Sequence, residues 1–343
     1  MNLNRWGWLE KSGLLIIALV AALFSWYAGL ERSEAQLSLQ LKGQEAELQP
    51  PEEAIPRDEF ARFNRSVGSF GIVTKFFDDP IDLVVDEDEI VYVLERNNER
   101  VQLFNSRLEF VSKFGRPGSG EGEFDRPEAI AIDQVGFIYV VDSLNHRIQK
   151  FEPGGDFLLE WGSLGSSEGL FNTPRDITFD EENVAYVADT GNDRIQIFTP
   201  GGRFLDEWNQ FDVRRNTGAT FRKIVSLAFD DDRFGFILAL RAVDKTIQRF
   251  ELDADLWDRM SICELEDCLP VRMEVDNRDD FIYLVDRTGN RILKYTKGGV
   301  LAGQLIGGDV PFANPSGLYV DRGNKRLYVA DSGNDKIQKF YLQ

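Results

Sequence analysis

Histidine is nearly absent from this chain of 343 residues: His146 is the only one. No His-based metal cage can form, and no Ser-His-Asp or Cys-His-Asn set is possible without His146. Cysteine is almost as scarce. Cys263 and Cys268 are the pair, in "CELEDC". Their C-x4-C spacing is neither the thioredoxin spacing nor a haem-attachment motif. Basic residues are also short, with 39 Lys and Arg against 58 Asp and Glu, for a formal net charge of −19. A surface of that sign repels phosphate backbones, so no nucleic-acid partner is expected.

Charge is missing altogether from residues 12–30, "SGLLIIALVAALFSWYAGL". As a helix this run spans about 28 Å at roughly 1.5 Å per residue, enough to cross the apolar core of a bilayer. It is longer than the roughly 7–15-residue apolar core of a cleaved signal peptide. Trp6 and Trp8 precede it, and Trp26 and Tyr27 lie near its end, as interfacial aromatic belts do. We therefore expect a retained transmembrane helix over 12–30, with residues 1–11 on the cytoplasmic side. Arg5 and Lys11 before the span outweigh Arg32 and Lys42, which stand among glutamates after it. The bulk of the chain is then extracytoplasmic, periplasmic in a bacterial cell. Residues 31–67 read as a tether, because "PPEEAIP" stops any helix carried over from the membrane.

What is plentiful is glycine, 30 residues, and phenylalanine, 26 residues, a composition suited to short strands and tight turns around an aromatic core. From residue 68 the chain repeats. "VYVLERNNERVQLF" (91–104), "IYVVDSLNHRIQKF" (138–151), "AYVADTGNDRIQIF" (185–198), "IYLVDRTGNRILKY" (282–295) and "LYVADSGNDKIQKF" (327–340) share one pattern. A worn copy, "ILALRAVDKTIQRF", fills 237–250, with Arg241 where most copies carry Asp and Thr246 where they carry Arg or Lys. Val101, Ile148, Ile195, Ile247, Ile292 and Ile337 recur 47, 47, 52, 45 and 45 residues apart.

Other landmarks keep step. Asp86, Asp133, Asp180, Asp230, Asp276 and Asp321 each end a short apolar strand. Pro80, Pro127, Pro174, Pro270 and Pro315 stand six residues before five of them, with Ile224 in the fourth unit. Phe77, Phe124, Phe171, Phe221 and Phe312 come three residues earlier still; only the fifth unit lacks this ring. Four short strands in about 45 residues is the period of a β-propeller blade. The consensus resembles the NHL repeat, over essentially all of 68–343.

That resemblance implies an all-β fold: a six-bladed NHL-type propeller, preceded by one transmembrane helix. The sixth unit stops at "FYLQ" without a fourth strand, and "SFGIVTKFF" (69–77) is the expected N-terminal strand that closes the ring. Closure removes the exposed sheet edges.

A constellation copied around a ring reads as structural. Asp142, Asn145 and Arg147 match Asp189, Asn192 and Arg194 in the third unit and Asp331, Asn334 and Lys336 in the sixth. Asn suits a turn position of positive φ, and Asp is expected to pair with the Arg or Lys. His146 stands where Asp193 and Asp335 stand, so we expect a solvent-facing turn residue. Lyases that resemble NHL propellers use several histidines around a metal, so no catalytic residue and no cofactor is assigned here. Carboxylate-only calcium sites of lactonase-like propellers stay open as a hydrolase or lyase alternative, beside a small-ligand sensor that uses the channel. Two cysteines in an extracytoplasmic domain suggest a Cys263–Cys268 disulfide that pins the junction lacking its phenylalanine. The basic cluster Arg214, Arg215, Arg222 and Lys223 marks the most irregular junction loop, and is the candidate partner contact. The expected role is a non-catalytic scaffold or accessory subunit. Its partner would be an integral membrane protein or complex, respiratory or photosynthetic among the options, with the lipid bilayer as its other contact.

Overall fold

The computed structural model divides into two units, Met1–Ile55 and Pro56–Gln343. It describes residues 60–68, 76–209, 221–232, 235–252, 257–263, 267–321 and 323–343. The expected membrane span and its aromatic belt, Trp6, Trp8, Trp26 and Tyr27, lie outside the described residues. So do most of the tether, and Arg214 and Arg215. Among the described residues no helix is long and apolar enough to cross a membrane.

The second unit is a six-bladed propeller. Each blade is a four-stranded antiparallel meander, as in Pro127–Ile132, Ile138–Asp142, Arg147–Phe151 and Phe157–Trp161 of blade two. The first strands of neighbouring blades contact one another around the ring, which places them innermost. The second and third strands are buried on both faces. The fourth strand is half-exposed: Phe110–Phe114 and most of Phe157–Trp161 alternate in burial. Six apolar clusters fill the six spaces between blades. Phe77, Phe124, Phe171, Phe221 and Phe312 each anchor one of them.

The fifth interface holds the sulfur pair. Cys263 and Cys268 form the expected disulfide, buried with Ile262 among Ile247, Met273 and Leu284. The bridge thus occupies the core of the one junction that lacks a phenylalanine.

An N-terminal strand closes the ring, but it is not residues 69–77. Ala61–Val67 pairs antiparallel with Lys336–Leu342, from Ala61 opposite Leu342 to Val67 opposite Ile337. Gln343 N–H donates to Phe60 O at 3.0 Å and extends the seam. The propeller therefore starts upstream of residue 68. The reason is the path between blades: a fourth strand is outermost and the next first strand innermost, so a connection must cross the whole blade. In blades one and two that crossing runs ten residues, from Phe114 to Phe124 and from Trp161 to Phe171, and ten residues before Phe77 lies Val67. Gly68, Gly115 and Gly162 open the three crossings with φ of +117°, +86° and +96°. A Cβ on each would come within 2.4 Å of the Phe77, Phe124 or Phe171 ring, so only glycine lets the chain turn over its anchor.

Candidate functional site along the propeller axis

The repeated polar constellation is fully engaged in hydrogen bonds. Asp142 Oδ2 accepts from Arg147 Nε at 2.8 Å, Asn145 Nδ2 at 2.9 Å and Gln149 Nε2 at 3.0 Å, while Oδ1 accepts from Asp125 N at 2.8 Å. Asp189 holds Arg194, Asn192, Gln196 and Asn172 N in the same way. Burial pushes the Asp142 carboxyl above the usual range, against the pull of the donors around it. In blade six Lys336 turns instead to Asp309, at 3.3 Å. Blade four keeps the pairing with the signs exchanged: Arg241 takes the acidic position and pairs with Asp244, which also accepts from Thr246 Oγ1.

The positive φ expected at Asn145 falls one residue later, on His146, at +55°. Nor is His146 simply solvent-facing. It is half-buried, and its Nδ1 accepts from Thr173 N of the next blade at 3.0 Å. Glu99, Asp193, Asn290 and Asp335 make the matching bond to Arg126, Lys223, Asn314 and Asp79 N. What the repeat preserves here is a side-chain acceptor, and imidazole, carboxylate and amide all qualify. Only between blades four and five does the position hold a residue without an acceptor atom, Lys245, and that is the disulfide-bridged junction.

The acid runs at 86–89 and 180–183 are turn tips. Asp86 Oδ1 accepts from Ile90 N and its Oδ2 from the Tyr92 hydroxyl; Asp133 and Asp180 repeat this with Phe137 N and Tyr139, and with Val184 N and Tyr186. Among the described residues no three His, Cys, Asp or Glu side chains gather in a group that could hold a metal ion. Of the candidate contact residues, Arg222 and Lys223 are exposed at the junction of blades three and four. Arg222 Nε lies 3.9 Å from Asp193 Oδ2, and its carbonyl accepts from Arg241 Nε at 3.0 Å.

The feature that the sequence reading missed lies on the axis. Two residues past each proline position stand Asp82, Ala129, Asp176, Ser226, Arg272 and Gly317. Arg272 reaches from blade five across the ring to blades one and three. Its Nη2 lies 2.7 Å from Asp82 Oδ2 and its Nη1 2.6 Å from Asp176 Oδ1. The small Ala129 side chain of the intervening blade leaves room between the two carboxylates. Each carboxylate also accepts a backbone N–H from the next blade: Ile130 N at Asp82 (3.0 Å) and Leu227 N at Asp176 (2.7 Å). First strands do not pair with one another, so their inward edge N–H groups need such acceptors.

Burial pushes the Asp82 carboxyl up to about 7; Arg272 opposes the rise and Asp176 adds to it. Burial also works against the Arg272 charge, but Asp176 and Asp82 outweigh it, so its pKa is raised and the guanidinium stays ionised. Asp82 Oδ1 and Arg272 Nε, both buried, have no hydrogen-bond partner among the described residues.

Next to this triad the axis opens into a chamber of about 490 Å³ that includes Arg272 in its lining. Val84, Ile130, Ile177 and Leu227 border it, with their side chains buried in the cores between blades. Asp86, Glu87, Gln134 and Asn324, from the turns between first and second strands, also line it, so the chamber opens on that face. The junction loops and the His146 position lie on the other face. The signal for the triad was present in the sequence: "PIDLVV", "PRDITF" and "PVRMEV" each set a charge into an otherwise buried strand.

Sequence models of known families match parts of the chain. One described as a 6-bladed beta-propeller covers residues 78–163, and the NHL repeat matches 171–198 and 312–340. No curated protein matches the chain. Among solved structures it is similar to virginiamycin B lyase from Staphylococcus aureus, with a TM-score of 0.58 and 14% identity over 81% of this chain and 99% of that one. A streptogramin B lyase structure follows at 0.55 and 16%, covering 79% and 85%. Hydrazine synthase of Kuenenia stuttgartiensis gives 0.55 and 12%, covering 78% and 96%. At such identities the likeness is one of fold.

Proposed function

We propose that this NHL-repeat six-bladed β-propeller is a non-catalytic binding module, held at a membrane by residues 12–30 and docked on an integral membrane protein or complex. The observation that carries the reading is where the chain's polar chemistry goes. The repeated Asp–Asn–Arg sets brace each blade's turn against its incoming crossing, and the single histidine is a contact between blades two and three. One relative in fold, virginiamycin B lyase, is known in a catalytically inactive histidine-to-alanine form. This chain keeps its only histidine in a structural turn, so the fold likeness does not carry that activity across. The uncharged run at 12–30 and the small basic bias before it support a propeller on the extracytoplasmic side. The exposed Arg222 and Lys223 of the blade three–four junction remain the candidate contact, together with Arg214 and Arg215. The test is purification of tagged full-length protein from membranes in mild detergent. A stoichiometric membrane-protein partner is expected, released when all four basic residues become Ser. A protein recovered from the soluble fraction, or always alone, overturns the reading.

A further inference from the structure

We propose that the axial mouth on the junction face binds a small dianion, a phosphate or a dicarboxylate, between arginines of alternate blades. This stands independently of the partner reading. Arg96 of blade one and Arg287 of blade five each follow the last residue of a second strand, and Arg175 of blade three stands just before a first strand. First strands are innermost, and Arg175 precedes Asp176, so this mouth lies over the buried Asp82–Arg272–Asp176 set. Arg96 reaches the first strand of blade two, where its Nη2 lies 3.0 Å from Glu128 Oε2. The charges of Arg96 and Arg175 both act on Arg287, so the three guanidinium groups converge on the axis from three sides.

The repeat does not ask for arginine at these places. Thr190 and Ser332 hold the place of Arg96 and Arg287 in blades three and six, and their hydroxyls tie the turn to the next blade. Thr190 Oγ1 donates to Ile224 O at 2.7 Å, and Ser332 Oγ to Pro80 O at 2.6 Å. Val225 and Val271 hold the place of Arg175 in blades four and five, and both pack on the cores between blades. Three arginines thus stand where other blades carry residues that serve the fold, in a chain short of basic residues.

Their charge is not balanced locally. The two nearby carboxylates both go to Arg96: Asp79 Oδ2 lies 3.0 Å from Nη1, and Glu128 takes Nη2. Arg175 is exposed and Arg287 half-buried, and neither has an ion pair among the described residues. Burial lowers the Arg287 pKa and Arg96 and Arg175 lower it further, against the pull of Asp79 and Glu128. An oxyanion between Arg175 and Arg287 would relieve that repulsion, and the planar guanidinium fork suits carboxylate and phosphate oxygens. The net charge of −19 is spread over the whole chain and is screened beyond about 8 Å at physiological ionic strength, so the near arginines decide.

The probes are inorganic phosphate, succinate and succinamide, the last matching succinate in shape without its charge. Calorimetric titration of the full-length protein in mild detergent should show phosphate or succinate binding with Kd below about 1 mM, and succinamide at least about tenfold weaker. The tighter of the two anions names the ligand class. Arg175→Gln and Arg287→Gln should each weaken that anion by about tenfold or more, whereas Arg116→Gln, on an exposed crossing, should leave it unchanged. Without ligand, Arg287→Gln should melt no lower than wild type, since no ion pair is lost with it. It should also lose the rise in melting temperature that the anion gives the wild-type protein. Absence of binding by both anions overturns the proposal. So does equal binding of succinamide, an affinity unchanged by Arg175→Gln and Arg287→Gln, or an equal loss in Arg116→Gln.

Discussion

Replacing Arg272 by Met tests the axial triad directly. The change keeps most of the side-chain volume and removes the one cation between Asp82 and Asp176. Both carboxylates are buried, at 1% and 0% exposure, and both keep their backbone N–H donors. Deleting one member of a buried ionic set leaves uncompensated charge and costs about 3–5 kcal/mol. The cost should depend on pH, and the sign follows from Asp82. Its folded pKa of about 7 lies above the unfolded value near 3.8, so between these values the folded chain holds a proton that the unfolded chain has released. The wild-type protein therefore loses stability as pH rises from about 4 to 7, by up to about 4 kcal/mol at 1.36 kcal/mol per unit. Without Arg272 the carboxyl rises further, so the variant should suffer most near pH 8 and least near pH 5, where a proton replaces the lost charge. Denaturant unfolding of the full chain, followed by fluorescence of the buried Trp161 and Trp208, measures this. The combination Asp82→Asn, Asp176→Asn and Arg272→Met should recover most of the loss, because the amide oxygens still accept from Ile130 and Leu227. A cost below about 1 kcal/mol at pH 8, or one equal at pH 5 and 8, would refute the reasoning.

Three further outcomes are expected. His146→Ala should cost about 1 kcal/mol by leaving Thr173 N without its acceptor, and His146→Asn should restore it; a neutral alanine variant would remove the latch from the account. Thiol labelling of unreduced, denatured protein should find no free thiol, and a Cys263→Ala, Cys268→Ala variant should lose about 2 kcal/mol for so short a loop; a fully stable variant would deny the bridge a structural role. Removing residues 61–67 should abolish the cooperative melt, whereas removing 1–55 should leave it in place; equal melting of both truncations would displace the closing strand.

The blade count, the strand order and the structural character of the Asp–Asn–Arg motif were all legible, because a repeat of six copies turns each residue into one of a column. The closing strand lies further upstream than the expected 69–77. "SFGIVTKFF" is the more apolar segment, but an outermost strand buries only one face, and "ARFNRSV" meets that need. The better signal was Val67-Gly68, the counterpart of Phe114-Gly115 and Trp161-Gly162 at the same distance from the anchoring ring. His146 was half legible: its column varies in residue type but keeps an acceptor, a property that identity alone hides. The axial triad was least legible. Its members lie 94 and 96 residues apart along the chain, and nothing local foretells that blade five reaches between blades one and three.

The seam between Ala61–Val67 and Lys336–Leu342 also sets a schedule for synthesis. Ala61 faces Leu342, 281 residues later in the chain. At about 5–20 residues per second, the first strand made waits roughly 15–55 s for its partner. During that interval it is an unclaimed edge, open to pairing with any passing strand. Its composition suits the wait: Arg62, Asn64, Arg65 and Ser66 leave Phe63 the only large apolar side chain before Val67. The strand that completes the ring is thus polar enough to stay single until the last blade arrives.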